Sequence, residues 1–275
     1  MSAPSPVRPG GKPRSLPAAL PNYFTSAEVA ARYRKVRPFF HDEVVERLCK
    51  YAGVERFGRA LDVGCGTGQS SLALAAVSDH VAAIDSSPGM LEHAPPRPNI
   101  AYQLGFAEQL DFVAGEFDLV SAGSALHWFD QDRFFAQCRK VLAPAGILAV
   151  YNDHFTAHMQ DVAACKHWMR TRFAKRFPGP RRGMRDIDEP RAAEGGFTVA
   201  HRSSFDHLVP FSRDGFIAYL LTRSNTLDAI QRGDETPSSV ADWLGRELAP
   251  IVPEVTTGRF IFKCNLWLLR KAGAA

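Results

Sequence analysis

The chain has 275 residues, is 45% hydrophobic and carries a formal net charge of +4, so it can bury a large core as one α/β domain with an appendage. That mild charge does not by itself point to nucleic acid, and no apolar stretch approaches the length of a membrane span. Five cysteines, at 49, 65, 138, 165 and 264, form no Cys-x-x-Cys pair, so neither a zinc site nor a disulfide framework is indicated, no metal is expected, and free thiols in a reducing cytoplasm are the simple reading.

Residues 1–21 carry prolines at 4, 6, 9, 13, 17 and 21 among Gly, Ser and Ala, with basic residues and no acidic ones. Those prolines oppose an amphipathic targeting helix, and a disordered tail is expected. Ser26 is a candidate cap for a helix reaching Arg37 and stopped by Pro38, and a second helix is expected over 41–52. Strands near 59–63, 80–85, 100–104, 117–122 and 146–151 then alternate with helices near 69–76, 87–94 and 131–142. This alternation argues for a parallel sheet covered on both faces. After Tyr151 the rhythm breaks into a helix near 159–177, a loop at 178–186, a strand over 197–209, helices near 212–222 and 237–249, and a last strand over 258–270.

The octet Leu61-Asp62-Val63-Gly64-Cys65-Gly66-Thr67-Gly68 joins the first strand to its helix. Glycines there let the chain turn tightly and approach a ligand, at which the free N–H groups of the helix are aimed. The spacing departs from the dinucleotide G-x-G-x-x-G frame, because Gln69 holds the final position and Gly68 falls one residue early. Asp62 would repel a pyrophosphate and attract an ammonium. S-adenosylmethionine has an α-amino group, a sulfonium charge and no phosphate. Asp85 ends the next strand, where a carboxylate meets a ribose diol.

On these residues the chain resembles the class I S-adenosylmethionine-dependent methyltransferases, in the small-molecule branch with the methyltransferase type 11 domain. The resemblance covers residues 25–151 well and the remainder in outline. It implies a Rossmann-like three-layer sandwich whose mostly parallel seven-stranded sheet has an antiparallel last strand, plus a helical cap. It also implies bound S-adenosylmethionine, S-adenosylhomocysteine as product and a small-molecule acceptor. Carried over by position, the cofactor would meet Tyr33, Arg37, Asp62, Gly64, Cys65, Gly66, Gly68, Asp85, Ser86, Met90, Phe106, Ala107, Ala122 and His127. Met90 would pack on the adenine, and Arg37 would fork the methionine carboxylate. Phe106 stands where the family often has an aspartate. The expected division is a tail over 1–21, a cofactor-binding core over 22–151, and sheet-completing strands over 152–275 with a substrate cap at 159–194 and 212–250. Leu-Thr-Arg-Ser-Asn at 221–225 and His127-Trp128 resemble the trans-aconitate methyltransferase-like group, which esterifies small carboxylates.

Two further features leave alternatives open. His127, in His-Trp-Phe-Asp after the fourth strand, is either a base for a hydroxyl acceptor or, with Trp128, part of the pocket floor. Lys166, Arg170, Arg172, Lys175, Arg176, Arg181, Arg182 and Arg185 interleave with Trp168, Phe173 and Phe177 and no acidic residue. This run is either a solvated helix face whose aromatics pack down or a cap in which Trp168 and Arg172 select an anionic acceptor. A nucleic-acid reading lacks the Asn/Asp-Pro-Pro-aromatic stretch of base-amino methyltransferases.

Overall fold

In this computed structural model residues 23–24, 26–179, 186–254 and 257–273 are described. The tail expected over 1–21 lies outside the described residues, as do Arg181, Arg182 and Arg185. Helices α1 (Ala27–Val36) and α2 (His41–Ala52) lead into β1 (Phe57–Val63), α3 (Gln69–Ala76), β2 (Ser78–Asp85), α4 (Pro88–Leu91), β3 (Ile100–Leu104), β4 (Phe117–Gly123), α5 (Gln131–Val141) and β5 (Leu142–Met159). A helical run follows: α6 (Ala163–Trp168), a π turn (Met169–Phe173) and α7 (Ala174–Arg176). The chain ends with α8 (Glu189–Glu194), β6 (Phe197–Phe211), α9 (Arg213–Leu220), α10 (Ser224–Gln231), α11 (Pro237–Leu248) and β7 (Gly258–Lys271).

The seven strands form one sheet in the order β3-β2-β1-β4-β5-β7-β6. The five leading strands pair in parallel, and β7 lies antiparallel between β5 and β6. The expected mostly parallel sheet with its antiparallel last strand is therefore the one observed. Ala60, Leu61, Asp62 and Val63 are buried together, as a central strand covered on both faces requires. Val63, Val120, Phe134 and Leu148 pack on one face, and Val44, Leu48, Leu74 and Ile147 on the other.

The sheet departs from expectation in β5. Parallel pairing with β4 stops at Gly123↔Tyr151, yet β5 runs on to Met159 because β7 continues beside it as far as Phe260, through a bulge between Phe155 and His158. The projecting hairpin carries Phe155, Phe260 and Phe262 into a third core formed with α6, α9 and α11. Phe216 stacks on Phe260 with ring centroids 4.1 Å apart, and losing a ring buried this way costs about 3–5 kcal/mol.

Helices α8 and α10 were not expected, and α8 packs apart from the other helices of residues 159–250. Ile187 and Ala192 pack in the sheet core rather than with the cap helices. The buried Arg191 of α8 ion-pairs with Asp132 at 2.7 Å and lies 5.0 Å over Phe135.

Candidate functional site

The loop between β1 and α3 is built on left-handed glycines: φ is +71° at Gly64, +55° at Gly66 and +78° at Gly68. That region costs an L-residue about 1–2 kcal/mol. A Cβ on Gly64 would sit 2.7 Å from Ala125 Cβ, and one on Gly68 would sit 2.6 Å from the Tyr102 hydroxyl. At Gly66 the nearest atom is Met90 Cε at 3.5 Å, so this glycine faces space bordered by the buried Met90. The loop is sewn to β2 by Gly64 and Cys65, whose N–H groups donate to the Ile84 carbonyl at 2.8 and 3.0 Å.

Two carboxylates flank the loop. Asp62 is fully buried, and its Oδ2 accepts from the hydroxyls of Ser70 and Ser71, both at 2.6 Å. Its Oδ1 is buried without a partner. Burial pushes its pKa up to about 6 against the pull of the serine hydroxyls. A charged-capable acceptor left open beside a ligand loop suits an ammonium donor. Asp85 accepts from the Gly66 N–H at 2.8 Å and the Ser87 N–H at 2.9 Å, one bond on each oxygen. Burial raises its pKa as well. Each oxygen keeps a second lone pair for a ligand hydroxyl. The helix cap of α4 is Ser87, whose side chain accepts from Met90 N–H; Asp85 is not that cap. Burial drives the Cys65 thiol well above its usual range, with the charges of Asp62 and Asp85 adding to it.

The ends of β4 and β5 lie beside this loop. Ala122 is buried, and Ser124 takes a left-handed φ of +52° while its N–H donates to the Tyr151 carbonyl at 2.7 Å. A non-glycine residue held there is the kind of strain that collects at functional turns. A 3₁₀ turn (Leu126–Trp128) follows and half-buries His127 and Trp128. The segment before α1 closes over them: Tyr23 and Phe24 meet the Trp128 ring edgewise at 5.7 and 5.9 Å. The Ser87 hydroxyl donates to the Phe24 carbonyl at 2.8 Å, and Arg34 donates to the Thr67 carbonyl at 2.9 Å. Phe106 is half-buried and bridges to Gln109, Ala107 is buried, and Ser86 is exposed.

Three expected site residues are placed otherwise. Arg37 directs its Nε and Nη2 to the hydroxyl and carbonyl of Thr222, at 3.1 and 2.7 Å, and lies 4.6 Å over Tyr33. Its forked edge therefore ties α1 to the segment after α9. Trp168 is buried in the cap, stacked on Trp243 at 5.9 Å, with its indole N–H donating to Glu247 at 2.9 Å. Exposed Arg172 pairs with the same Glu247 at 2.6 Å, and Arg176 pairs with Glu235. The aromatics of this helix pack down and these two arginines are engaged within the cap, which is the bland one of the two readings. Sequence reasoning missed Ser70, Ser71, Arg34 and Tyr23. Only the serines carried a signal, as paired hydroxyls in the first turn after the loop.

Among the described residues no helix is long and apolar enough to cross a membrane, and no group of three or more His, Cys, Asp or Glu residues is placed to hold a metal ion. Residues 61–150 match the model of a methyltransferase domain. The chain is 29% identical over 124 residues to a Dictyostelium discoideum protein described as a methyltransferase, 45% of this chain and 47% of that protein. It spans about half the length of the curated relatives it matches. A type II methyltransferase structure from Anaeromyxobacter dehalogenans has the same fold, with a TM-score of 0.67 at 23% identity over 86% of this chain and 97% of that one. Phosphoethanolamine N-methyltransferase 2 of Haemonchus contortus, solved with S-adenosylhomocysteine, shares the fold with a TM-score of 0.53 at 15% identity over 90% of this chain and 58% of that one. With the glycine loop, the seven-stranded sheet and these likenesses together, residues 61–150 form a methyltransferase domain on a fold shared with Rossmann-like methyltransferases, and the chain is similar to the S-adenosylmethionine-dependent enzymes of that class.

Proposed function

We propose that this protein transfers the methyl group of S-adenosylmethionine to an oxygen of a small-molecule acceptor. The observation that carries the reading is the left-handed glycine loop set against Asp85, whose two oxygens are already aligned by the Gly66 and Ser87 N–H groups. The Asp62 Oδ1 is the acceptor offered to the cofactor's ammonium, Asp85 to its ribose, and Met90 the apolar surface for its adenine. When bound, the cofactor supplies an electrophilic methyl on a sulfonium.

What remains for the chain is to hold the acceptor in line with that methyl and exclude water, which supplies most of the rate. Tyr23, Phe24 and Trp128 form an aromatic wall for this. His127, in the turn after β4, positions the acceptor oxygen, and a base is needed only where that oxygen carries a proton. The division in function is a cofactor-binding core over 22–151 and a sheet-completing part over 152–275 that carries the cap. Engagement of Arg172 and Arg176 with Glu247 and Glu235 favours this reading over nucleic-acid binding.

Isothermal titration with S-adenosylmethionine, followed by assay of S-adenosylhomocysteine release in small-molecule extracts, tests the proposal. Absence of binding overturns the cofactor reading; binding without release across extracts points to a non-catalytic binding protein. For His127→Ala the expected result is reduced turnover with the pH profile kept, and loss of a pH-dependent limb would assign it the base instead.

A further inference from the structure

Strand β6 closes the sheet order, with β7 on one side of it and no strand on the other. Its 15 residues therefore present an outer row of backbone N–H and C=O groups. Among the described residues no hydrogen bond reaches that row. An open edge of this length is a template for another strand unless the sequence blunts it.

The strand behind the edge is held firmly. β7 pairs with it from Phe197 to Phe211. On one face His201 stacks on Tyr51 with ring centroids 5.4 Å apart, Arg47 lies 4.7 Å over Phe205, and His207 Nε2 meets Asp153 Oδ1 at 2.8 Å. The other face carries Arg202, Ser204, Asp206 and Leu208, all exposed. A strand already ordered in this way loses little further conformational entropy when another strand adds to it.

The devices that blunt an edge stand towards its two ends. A bulge interrupts the pairing between Val199 and His201, and Pro210 carries no N–H. Between them the charges on the exposed face are opposite in sign: Arg202 and Asp206, each two places from Ser204. Among the described residues neither is in an ion pair; Arg202 lies 5.5 Å over Trp267, and Asp206 is in register with Lys263. Two antiparallel copies related by a two-fold axis through Ser204 would set Arg202 of each opposite Asp206 of the other. Facing like charges would forbid such a contact, and here unlike charges face each other twice. An axis through Ser203 or Phe205 leaves both charges opposite uncharged residues: Ala200 and Ser204, or Ser204 and Leu208.

We propose that β6 is a self-association edge, at which two copies of this chain pair their β6 strands antiparallel about Ser204 and join their sheets. The occupant is a second copy because the charge pattern of the edge is complementary to itself. The inference concerns assembly and stands apart from the reaction proposed above.

Sedimentation velocity of the full chain over a concentration series should show a monomer–dimer equilibrium. Asp206→Arg sets arginines opposite each other and Arg202→Asp sets aspartates opposite each other, so each variant alone should dimerise about tenfold more weakly. Mixed in equal amounts the two variants regain both unlike pairs, and the dimer should return. Ser204→Cys brings a thiol across the axis from its own counterpart, within disulfide reach, and oxidation should trap a covalent dimer. Leu208→Cys stands opposite Ala200, about 27 Å along the strand from its counterpart, and should not be trapped. A wild type that is still monomeric at about 1 mM overturns the proposal, leaving the edge to a strand of another protein or to solvent. So do a dimer indifferent to both charge reversals, a mixture no more associated than its components, and trapping of Leu208→Cys as readily as of Ser204→Cys.

Discussion

Asp62→Asn isolates the electrostatic cost of the cofactor loop. The Asp62 carboxyl is fully buried, and burial moves its pKa from the ordinary 3.8 to about 6. The folded state then holds its proton more tightly than the unfolded chain between those values. Stability therefore falls as pH rises through that window, the reverse of the usual carboxylate. At about 1.4 kcal/mol per pKa unit, the full penalty approaches 3 kcal/mol, of which about 2 kcal/mol is felt between pH 4.5 and pH 7. Asparagine keeps an oxygen for the hydroxyls of Ser70 and Ser71 and removes the charge. Buried His41, held at about 3 by desolvation, titrates in the opposite sense, destabilising the fold as pH falls below 6.5; it is common to both proteins and cancels in the comparison. Urea denaturation of ligand-free wild type and variant at both pH values should show the variant gaining about 2 kcal/mol relative to wild type at pH 7. Parallel pH curves for the two proteins would refute the reasoning.

Gly64→Ala forces a left-handed φ on alanine and drives its Cβ to 2.7 Å from that of Ala125. A loss of at least about 2 kcal/mol by chemical denaturation is expected, and a neutral result would show that the loop can relax. Asp85→Ala removes the acceptor of the Gly66 and Ser87 N–H groups, so calorimetric affinity for S-adenosylmethionine should fall about 30- to 1000-fold with a cooperative melt preserved. Arg172→Gln should leave cofactor affinity and turnover unchanged, since its guanidinium is exposed and engaged by Glu247; a tenfold loss of turnover would return Arg172 to the acceptor site.

The central sheet was legible because its signals are local. β1 through β4 carry short apolar runs with a loop or helix after each, and α2, α3, β3 and α5 lie within a residue of their expected bounds. The full length of β5 was not legible, because residues 152–159 are held by pairing with β7 a hundred positions away. Helices α8 and α10 were equally hidden: α8 is fastened by Arg191 to α5 and α10 by Asp228 to Tyr23, and neither partner is near in sequence.

The candidate site divides in the same way. Gly64, Gly66, Gly68, Asp62 and Asp85 were expected from spacing, and the fold brings them to one loop, since a tight turn at a strand end leaves few residue choices. Arg37, Trp168 and Arg172 were misplaced because an arginine or tryptophan looks the same in sequence whether it faces a ligand, Thr222 or Glu247. By itself the sequence determined the parallel core and the likeness to a methyltransferase domain, both written in contiguous motifs. Only the tertiary structure decided where Arg37, Trp168 and Arg172 are engaged, because pairing joins residues far apart in the chain and only folding brings them within reach.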